Sequence, residues 1–528
     1  MNLLLRRLAI AAHRPIIVIG VGIGGLVSAL LLASAGESVL VVEKERGPGG
    51  KVRQLNVGGA SIDAGPTVFT MLPVIEEIFA AAGARLGDYL NLHKSERIAR
   101  HAWSQSDQLD LYADFEQSCD AIGDFAGAKA VTGFRRFSRE ARRLHKALDR
   151  PFLRGSKTDP LTLGWRMGWR GFPDWLTLRA YRSLWSALGT YFPDPRLRQL
   201  FGRYTTYCGS SPFETPATLM LIADVEAQGV WAIDGGMSAL ANALETLARQ
   251  KGVVFHYGEP VARILAANKK VTGILLQSGE QLAADTILFN GDPAALGAGL
   301  LGADVAPATR AMPEKARSLS AMVWLAHAKT GGFELGHHNV FFGPDYETEF
   351  RAIKAGRLPP QPTAYLCALD RTVPGHRPTG RERLQVIVNA PANGDHHDYT
   401  SEERETCTAT MLERLSSCGL ELEKPLPHIL VTPNDFATLF PATGGALYGR
   451  ASHGWAASFL RPGSRTAIHG LYCAGGGTHP GAGVPMAALS GKLASEAVLS
   501  DLGSTRRFLP KAIAGGMSTR SAMTAHSG

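Results

Sequence analysis

A glycine-rich turn near the start of the chain constrains its fold more than any other feature. The turn, GVGIGG at residues 20–25, follows the apolar run Ile16–Ile19 and precedes a second apolar run at 26–35. Residues 39–42 then form another short run of buried-strand type. This order predicts a βαβ unit whose helix begins directly behind a parallel strand, with a GxGxxG sequence in the turn.

The same turn indicates a nucleotide ligand. Gly20 permits the tight turn, Gly22 lets the backbone approach a pyrophosphate, and Gly25 lets the helix pack closely on the strand. The N-terminus of the helix offers free N–H groups and partial positive charge to phosphates. Glu43 ends the second strand, where its carboxylate would accept hydrogen bonds from ribose hydroxyls. Together these features predict a dinucleotide site; a tight turn in an unrelated α/β protein is the alternative.

Composition sets wider bounds. With 528 residues and a mass of 56.4 kDa, the chain is too long for one compact core, so we expect at least two domains. The net charge of +8 would suit an acidic surface such as anionic lipid, but it is too small to decide the matter. The six cysteines lack CxxC spacing, which argues against a zinc site or a disulfide framework and favours a reducing cytoplasm. The apolar stretch 16–36 is interrupted by glycines, so we predict no membrane span.

Further glycine patches distinguish FAD from NAD. A second patch, GGK at 49–51, follows Glu43 at short range, and the turn IDAGP at 62–66 comes next. A second glycine patch beside the same pyrophosphate favours a long dinucleotide such as FAD. The predicted contacts in the N-terminal part of the chain are Gly20, Gly22, Gly24, Gly25, Glu43, Gly49, Gly50, Lys51, Asp63, Gly65 and Pro66.

A third glycine run lies near the end of the chain. The segment CAGGGTHPGAGVP, residues 473–485, stands between a strand-like run and a helix-like run. Its bare backbone would allow a flat ring to approach closely. His479 is its one titratable side chain besides the cysteine, so it is a candidate catalytic residue; the alternative is that its ring orders the loop. The predicted cofactor contacts here are Gly475, Gly476, Gly477, Gly483, Val484 and Pro485.

These motifs occur in an order that resembles a known family. After GxGxxG come GGK, DAGPT, DGGMSALANAL (234–244), FNGDP (289–293) and GGGTHPGAGVP. The series resembles the FAD-dependent carotenoid desaturases of the amine-oxidase-like flavoprotein group over about residues 14–500. Within that group, the stretches 201–231, 336–350 and 381–395 resemble the hydroxyneurosporene and methoxyneurosporene desaturases of purple photosynthetic bacteria.

The resemblance implies an α/β fold with a Rossmann-like FAD-binding domain and an inserted, mixed substrate domain. The FAD-binding domain would comprise 14–90, 225–304 and 441–503, the substrate domain 91–224 and 305–440, and 504–528 would be a flexible tail. The implied reaction is hydride transfer to FAD, which introduces a C3–C4 double bond into an acyclic 1-hydroxy or 1-methoxy carotenoid. A quinone or oxygen would accept the electrons, and the enzyme would associate peripherally with the inner or photosynthetic membrane.

The substrate side offers weaker signals. Residues 151–198 mix arginines and lysines with four tryptophans, and six basic residues lie between 135 and 146. This mixture is typical of a helix at a lipid headgroup layer, and equally of a solvated basic helix packed on an aromatic core. The resemblance alone makes Arg203, Tyr204, Tyr207 and His338 candidates for lining a substrate tunnel.

Several alternatives stay open at this stage. A phytoene or neurosporene desaturase, a carotenoid isomerase-like protein or an amine oxidase would be an alternative within the enzyme class. The fold also serves in prenyl-protein carriers of the GDP-dissociation-inhibitor type, which no longer use the flavin; the full GxGxxG, Glu43 and the C-terminal glycines argue instead for retained FAD. We predict no metal site and no nucleic-acid partner. His337 and His338 are adjacent, so on a strand their side chains would face opposite sides and could not bind one metal together.

Overall fold

The structure is a computed structural model, and it describes residues 14–157, 159, 162–163, 182–373, 377–424, 426–454 and 456–508. The strands are β1 Ile16–Ile19, β2 Val39–Glu43, β3 Gln54–Val57, β4 Ala60–Asp63, β5 Leu92–Lys94, β6 Arg97–Ala102, β7 Gln108–Tyr112, β8 Trp231–Ile233, β9 Val254–Tyr257, β10 Val261–Ala267, β11 Lys270–Leu276, β12 Gln281–Ala283, β13 Ile287–Phe289, β14 Ser320–Ala328, β15 Thr330–Gly332, β16 His338–Phe341, β17 Ala364–Ala368, β18 Glu382–Ala390, β19 Leu420–Leu422, β20 His428–Val431 and β21 Leu471–Cys473.

The described part of the chain also contains thirteen α-helices. They are α1 Ile23–Ser34, α2 Leu72–Ala81, α3 Phe115–Ala126, α4 Ala128–Leu148, α5 Leu184–Leu188, α6 Pro195–Gly202, α7 Leu221–Ala227, α8 Met237–Gln250, α9 Pro293–Gly297, α10 Tyr346–Lys354, α11 Ser401–Ser417, α12 Pro433–Leu439 and α13 Val484–Phe508.

A five-stranded parallel sheet carries the glycine turn. Its strand order is β21-β13-β1-β2-β9, so β1 lies at the centre and pairs with both β13 and β2. The strands come from three separate parts of the chain, and helices α1, α8 and α13 pack together in the core beside the sheet. The predicted βαβ unit is confirmed, and so is the α/β fold class.

The last helix packs on the first one through small residues. Gly491 of α13 lies so close to α1 that an added Cβ would stand 2.3 Å from the carbonyl oxygen of Gly24. The Ser28 hydroxyl oxygen bridges the same place, 2.8 Å from the Gly24 carbonyl oxygen and 3.0 Å from that of Gly491. Helix α13 runs on to Phe508, so the boundary predicted at 503 falls inside a helix, and residues 509–528 lie outside the described chain.

A second, seven-stranded sheet forms the core of the rest of the molecule. Its order is β20-β14-β18-β17-β16-β6-β7, and it is antiparallel except where β16 pairs with β6. Strand β14 alternates its buried side chains between two layers: Val323 packs against the core shared with α3 to α7, whereas Trp324 packs against the core shared with α11. The sheet therefore separates two apolar layers, one of which contains helices α4 and α7.

The predicted basic helix is α4. Its apolar face, which includes Phe137 and Leu144, is buried in the core, and its arginines line the outer face. Arg135 pairs with Glu116 there, and Arg142 pairs with Asp224. An exposed basic face of this kind fits either predicted role, a solvated helix or a helix at a lipid headgroup layer. Three of the four tryptophans lie outside the described residues; they are Trp165, Trp169 and Trp175. In the part of the chain that the structure describes, no helix is long and apolar enough to cross a bilayer.

Candidate active site

The glycine turn between β1 and α1 is too crowded for side chains at two positions. A Cβ on Gly25 would lie 2.2 Å from the carbonyl oxygen of Gly20, and one on Gly24 would lie 2.8 Å from the backbone nitrogen of Gly475. Contacts this short require glycine. The turn therefore meets the C-terminal glycine segment directly, and the first and third of the predicted glycine patches lie at one place.

Asn290 lies between these two patches at the end of β13. Its Nδ2 donates to the carbonyl oxygen of Ala474 (3.1 Å). Its buried Oδ1 has no hydrogen-bond partner among the described residues and lies 2.8 Å from the position of a Cβ on Gly22. The FNGDP motif contributes to the family resemblance, but the sequence alone assigns no role to Asn290. The available signal was its position after a parallel strand, at the carboxyl edge where ligands of such sheets bind.

The second glycine patch lies against the first. The Gly49 N–H donates to the carbonyl oxygen of Val21 (2.9 Å), and a Cβ on Gly50 would stand 3.1 Å from the Cα of Gly22. Gly49 has a φ of +120° and Gly50 one of +60°, which favours glycine at both positions. The two patches thus form one stretch of bare backbone, as a long pyrophosphate-containing ligand would require.

Glu43 is placed where the sequence put it, at the end of β2 and beside the turn. Its Oε2 accepts from the Val21 N–H (2.8 Å) and its Oε1 from the Glu45 N–H (2.9 Å). Each carboxylate oxygen has a further lone pair. The side chain is therefore held in one orientation and keeps the capacity to accept from ligand hydroxyls.

The carboxylate of Asp63, by contrast, is hydrogen-bonded by other groups of the protein. Its Oδ2 accepts from the Met237 N–H (2.6 Å) at the start of α8, and its Oδ1 accepts from Gln54 Nε2 (3.1 Å). Burial raises the pKa of this carboxyl group. A Cβ on Gly65 would lie 1.9 Å from the Lys51 carbonyl oxygen, so Gly65 is needed for backbone packing. Of this predicted turn, Pro66 is the residue that reaches the cavity described next.

A cavity of about 350 Å³ opens between the two sheets. The C-terminal glycine segment and the start of α13 form one side, with Gly483, Val484 and Pro485 among the lining residues. Much of the remaining wall is apolar and comes from helices α4 and α7 and the segments beside them. This apolar part includes Leu148, Phe152, Leu153, Leu219, Ile222 and Val225. The cavity therefore combines a bare-backbone side with an apolar side.

Two buried cations stand beside the glycine patches. Lys51 Nζ donates to the Leu447 carbonyl oxygen (2.5 Å), and Arg461 donates to the carbonyl oxygens of Tyr448 (2.9 Å) and Gly476 (3.1 Å). Burial lowers the pKa of both groups. Neither makes an ion pair with a carboxylate of the described residues, although Asp292 is near enough to act on both. Arg461 was not predicted, because nothing near it in the sequence marks it.

His479 does not line the cavity. Its Nε2 lies 3.0 Å from the carbonyl oxygen of Phe152 and 2.9 Å from that of Gly155, and its ring packs edge-on against the Phe152 ring at 5.0 Å. The side chain is 2% exposed, and burial lowers its pKa. The geometry matches the alternative role weighed from the sequence, in which the ring orders the glycine loop, and it gives no support to a direct catalytic role.

The predicted tunnel residues separate into two groups. Arg203 and Tyr207 line the cavity, together with Glu226, which the sequence analysis did not single out. Tyr204 stands behind them and donates a short hydrogen bond to Glu226 Oε2. His338 also lies behind the wall, with its Nδ1 2.7 Å from the hydroxyl oxygen of Tyr365, a residue that does line the cavity.

The expected orientation of the histidine pair is wrong. His337 precedes β16 and does not belong to it, so strand alternation does not apply, and the two ring centroids lie 4.5 Å apart. Their nitrogens and the Cys367 sulfur lie within 4.8 Å of one another. Burial raises the pKa of the Cys367 thiol to about 12 and lowers that of His338, which the positive Arg203 lowers further. The thiol of Cys367 is therefore held protonated, which disfavours metal binding through its sulfur, whereas the His338 ring is held neutral.

The residues around the glycine patches fit FAD. The joined turns present backbone where Cβ atoms would intrude, Glu43 is oriented towards the turn, and the buried Lys51 and Arg461 supply positive charge for an anionic group. The N-terminus of α13 opens on the cavity and adds the partial positive charge of a long helix. These features define the class of dinucleotide-binding flavoproteins, with an apolar-walled cavity beside the proposed FAD site.

Comparison with known proteins agrees with this class. The family model described as "Flavin containing amine oxidoreductase" matches residues 23–499. Hydroxyneurosporene desaturase of Rubrivivax gelatinosus is 48% identical over 97% of this chain and 98% of its own length, and that of Cereibacter sphaeroides is 45% identical over 93% and 99%. A zeta-carotene-forming phytoene desaturase of Myxococcus xanthus is 33% identical over 92% and 94%.

Solved structures match the fold at low sequence identity. An oxidoreductase from Methanosarcina mazei superposes with a TM-score of 0.60 at 19% identity, over 92% of this chain and 100% of its own. Cyclohexylamine oxidase from Brevibacterium oxydans gives 0.54 at 17% identity, over 93% and 100%. The chain belongs to the flavin-containing amine oxidoreductase family. The predicted FAD cofactor, the oxidoreductase class and the resemblance to carotenoid desaturases are thereby confirmed.

Proposed function

We propose that this enzyme introduces the C3–C4 double bond into an acyclic 1-hydroxy or 1-methoxy carotenoid. The observation that carries the proposal is the 48% identity, along nearly the whole chain, to a protein named hydroxyneurosporene desaturase. The cavity supports it independently, because apolar walls from α4 and α7 suit a polyene chain, and the side formed by Gly483 and Val484 leaves room for a ring of the cofactor.

Bound FAD would supply a two-electron acceptor for hydride leaving an allylic carbon of the substrate. A proton leaves the neighbouring carbon, and the electrons of that second C–H bond become the new π bond. The adjoining polyene delocalises positive charge between the two losses, so no strong base is required of the protein. The residues of the cavity align the chain and exclude water, which is the larger part of their contribution.

The glycine segment and α13 would stabilise the reduced cofactor. Gly475 to Gly477 and Gly483 to Pro485 would hold the flavin ring, and the N–H groups and dipole at the start of α13 would favour negative charge on it. Arg461, which donates to the Gly476 carbonyl oxygen, adds a positive charge to the same segment.

A pigment assay tests the reaction. The FAD-loaded enzyme is supplied with 1-hydroxyneurosporene, 1-methoxyneurosporene or phytoene in separate liposomes, and the products are separated by chromatography and identified by their spectra. We expect one additional conjugated double bond in each 1-oxygenated substrate and no change in phytoene. Conversion of phytoene alone would assign the chain to the phytoene desaturases, and the same assay under nitrogen with added quinone separates quinone from oxygen as the electron acceptor.

We also propose that the enzyme docks on a membrane surface, since its substrate is dissolved in lipid. The exposed Arg136, Arg139 and Lys146 of α4 are suited to anionic headgroups. Replacing all three by alanine should reduce co-sedimentation with phosphatidylglycerol vesicles at low salt, with the flavin content unchanged. The control is Arg85→Ala, which removes an exposed arginine elsewhere. Equal binding of both variants would leave α4 as a solvated helix only.

A further inference from the structure

One patch of the apolar cavity wall is charged. Arg203 and Tyr207 come from a short 3₁₀ segment, Arg203–Cys208, and Glu226 comes from α7; all three line the cavity. A hydrocarbon substrate has no use for such groups, and burying them is costly unless they find polar partners. The patch therefore calls for a ligand atom that accepts or donates hydrogen bonds.

The two charges of the patch are held apart from each other. Glu226 is 6% exposed; its Oε1 accepts from the Tyr207 hydroxyl (2.7 Å) and its Oε2 from the Tyr204 hydroxyl. The guanidinium carbon of Arg203 lies 5.5 Å from the Tyr207 ring centroid and 5.1 Å from that of Tyr365. Among the described residues Arg203 makes no ion pair with a carboxylate. It hydrogen-bonds Tyr207 in addition to stacking on the ring faces, and its five-donor guanidinium keeps further donors for a ligand.

The patch also lies at the cofactor end of the cavity. Tyr365, which stacks on Arg203, hydrogen-bonds Thr67 (2.7 Å), and Thr67 directly follows the turn that contains Pro66. Tyr448 lines the same cavity, and its carbonyl oxygen accepts from Arg461, which also donates to Gly476. Groups that contact the cofactor segments thus stand beside the charged patch.

This location matches the position of the substrate oxygen. In a 1-oxygenated carotenoid, four bonds separate the oxygen on C1 from C4, so the two atoms lie within about 5 Å of each other. If C3 and C4 react at the cofactor, the oxygen must be bound close by, whereas the rest of the polyene extends along the apolar walls.

We propose that Arg203, Tyr207 and Glu226 form a subsite for the oxygen on C1 and thereby select 1-oxygenated carotenoids over hydrocarbon ones. The inference rests on the proposed function. A C1 hydroxyl accepts from Arg203 and donates to a free lone pair of Glu226; a C1 methoxy group accepts from Arg203 only. A hydrocarbon end would leave the remaining donors of Arg203 and the free lone pair of Glu226 unused, although Glu226 keeps its hydrogen bonds from Tyr204 and Tyr207. Sites built to bind a hydroxyl reject analogues that lack it by about 10⁴-fold or more.

The first test compares substrates on the unmodified FAD-loaded enzyme. The specificity constant kcat/KM and the Kd, the latter from perturbation of the bound flavin spectrum, are measured for 1-hydroxyneurosporene and for neurosporene, which lacks the oxygen. We expect the hydroxylated substrate to be favoured at least about 100-fold. Equal constants would overturn the subsite. If phytoene is the only substrate, the proposed function fails, but the two Kd values still decide whether the oxygen is recognised.

Variants then assign the selectivity to residues. Arg203→Met should lower kcat/KM for 1-hydroxyneurosporene about 100-fold and raise that for neurosporene, because methionine leaves no buried charge beside a hydrocarbon end, while Arg203→Lys restores part of the loss. Glu226→Gln should weaken use of the hydroxy substrate more than use of the methoxy substrate, because only the hydroxyl donates. Equal loss for both substrates of a pair would show a structural role and overturn the assignment. If Arg203→Met loses its flavin, Tyr207→Phe and Glu226→Gln give the same comparison.

Discussion

At the scale of single residues, burial governs the acid–base groups around the cavity. Glu349 is the clearest case: it is 1% exposed, accepts from the Thr363 N–H (3.0 Å), and has its pKa raised to about 7 by burial. Burial raises the pKa of Glu226 as well. Motifs of sequence do not reveal such shifts, because the atoms that exclude water from these groups come from distant parts of the chain.

The raised pKa of Glu349 predicts a pH dependence of stability. Between 4.5, the value for an exposed glutamate, and about 7, the unfolded chain loses this proton while the folded protein keeps it, so the free energy of unfolding should fall as pH rises. Glu349→Gln removes the titrating group. Across this pH range, the free energy of unfolding of the wild type should therefore fall by about 3 kcal/mol relative to that of the variant. Denaturation curves at pH 5 and pH 8 measure it, with the exposed Glu347→Gln as control. Parallel profiles for wild type and Glu349→Gln would contradict the prediction.

Residue roles were predictable only where the backbone decides them. The glycines at 20, 25 and 49 could be placed because their conformation or close packing excludes other residues. The role of His479 could not be predicted, because its partners Phe152 and Gly155 lie more than 300 positions away and no local sequence pattern indicates them. The turn around Asp63 predicts a ligand contact, but its carboxylate instead accepts a hydrogen bond from the N-terminus of a helix.

At the scale of elements, the junction of β4 and α8 shows how one carboxylate starts a helix. Asp63 accepts from the Met237 N–H, one of the N–H groups that a helix start leaves unpaired. Gly236 precedes that residue with φ of +83°, and a Cβ there would lie 2.1 Å from Asp63 Oδ2. The second glycine of the DGG motif is therefore explained by the capping of α8 as well as by its turn conformation.

This junction gives a matched pair of substitutions. Gly235 also has a positive φ, +84°, but the nearest atom to its Cβ position is 3.6 Å away. Both Gly235→Ala and Gly236→Ala incur backbone strain, and only Gly236→Ala displaces Asp63. We expect Gly236→Ala to lower the free energy of unfolding by about 1–3 kcal/mol more than Gly235→Ala, as measured by urea denaturation. Equal losses would show that the contact with Asp63 is unimportant.

Elements of the parallel sheet were predictable and those of the large sheet were not. Each strand of the parallel sheet is a short apolar run next to a glycine turn, which is a local signal. Helix α1 begins at Ile23, three residues before the apolar run at 26–35. That run alone does not mark the helix start, because the first turn contains glycines 24 and 25 and glycine is a weak helix former. The pairing of β6 with β16 has no local signal, since it joins two distant parts of the chain.

At the scale of the whole molecule, the cofactor site exists only when three chain segments are assembled. The turn at Gly22, the Asn290 side chain and the backbone at Gly475 come from separate strands and meet at one edge of the sheet. The unfolded chain has no such site, so a ligand bound there stabilises the native state by mass action.

This assembly predicts that stability depends on the FAD concentration. The Tm of the wild type should rise with added FAD, corresponding to about 2.7 kcal/mol when free FAD is 100 times its Kd. Gly22→Val should abolish both the rise and the yellow colour, because its side chain would enter the stretch of bare backbone and meet Asn290 Oδ1. Gly87→Val, at an exposed position where a Cβ meets nothing within 4 Å, is the control and should keep both. A Gly22→Val protein that retains flavin and the wild-type rise in Tm would show that the FAD pyrophosphate does not lie against this turn, and the site assembled from the three segments would have to be assigned to another ligand.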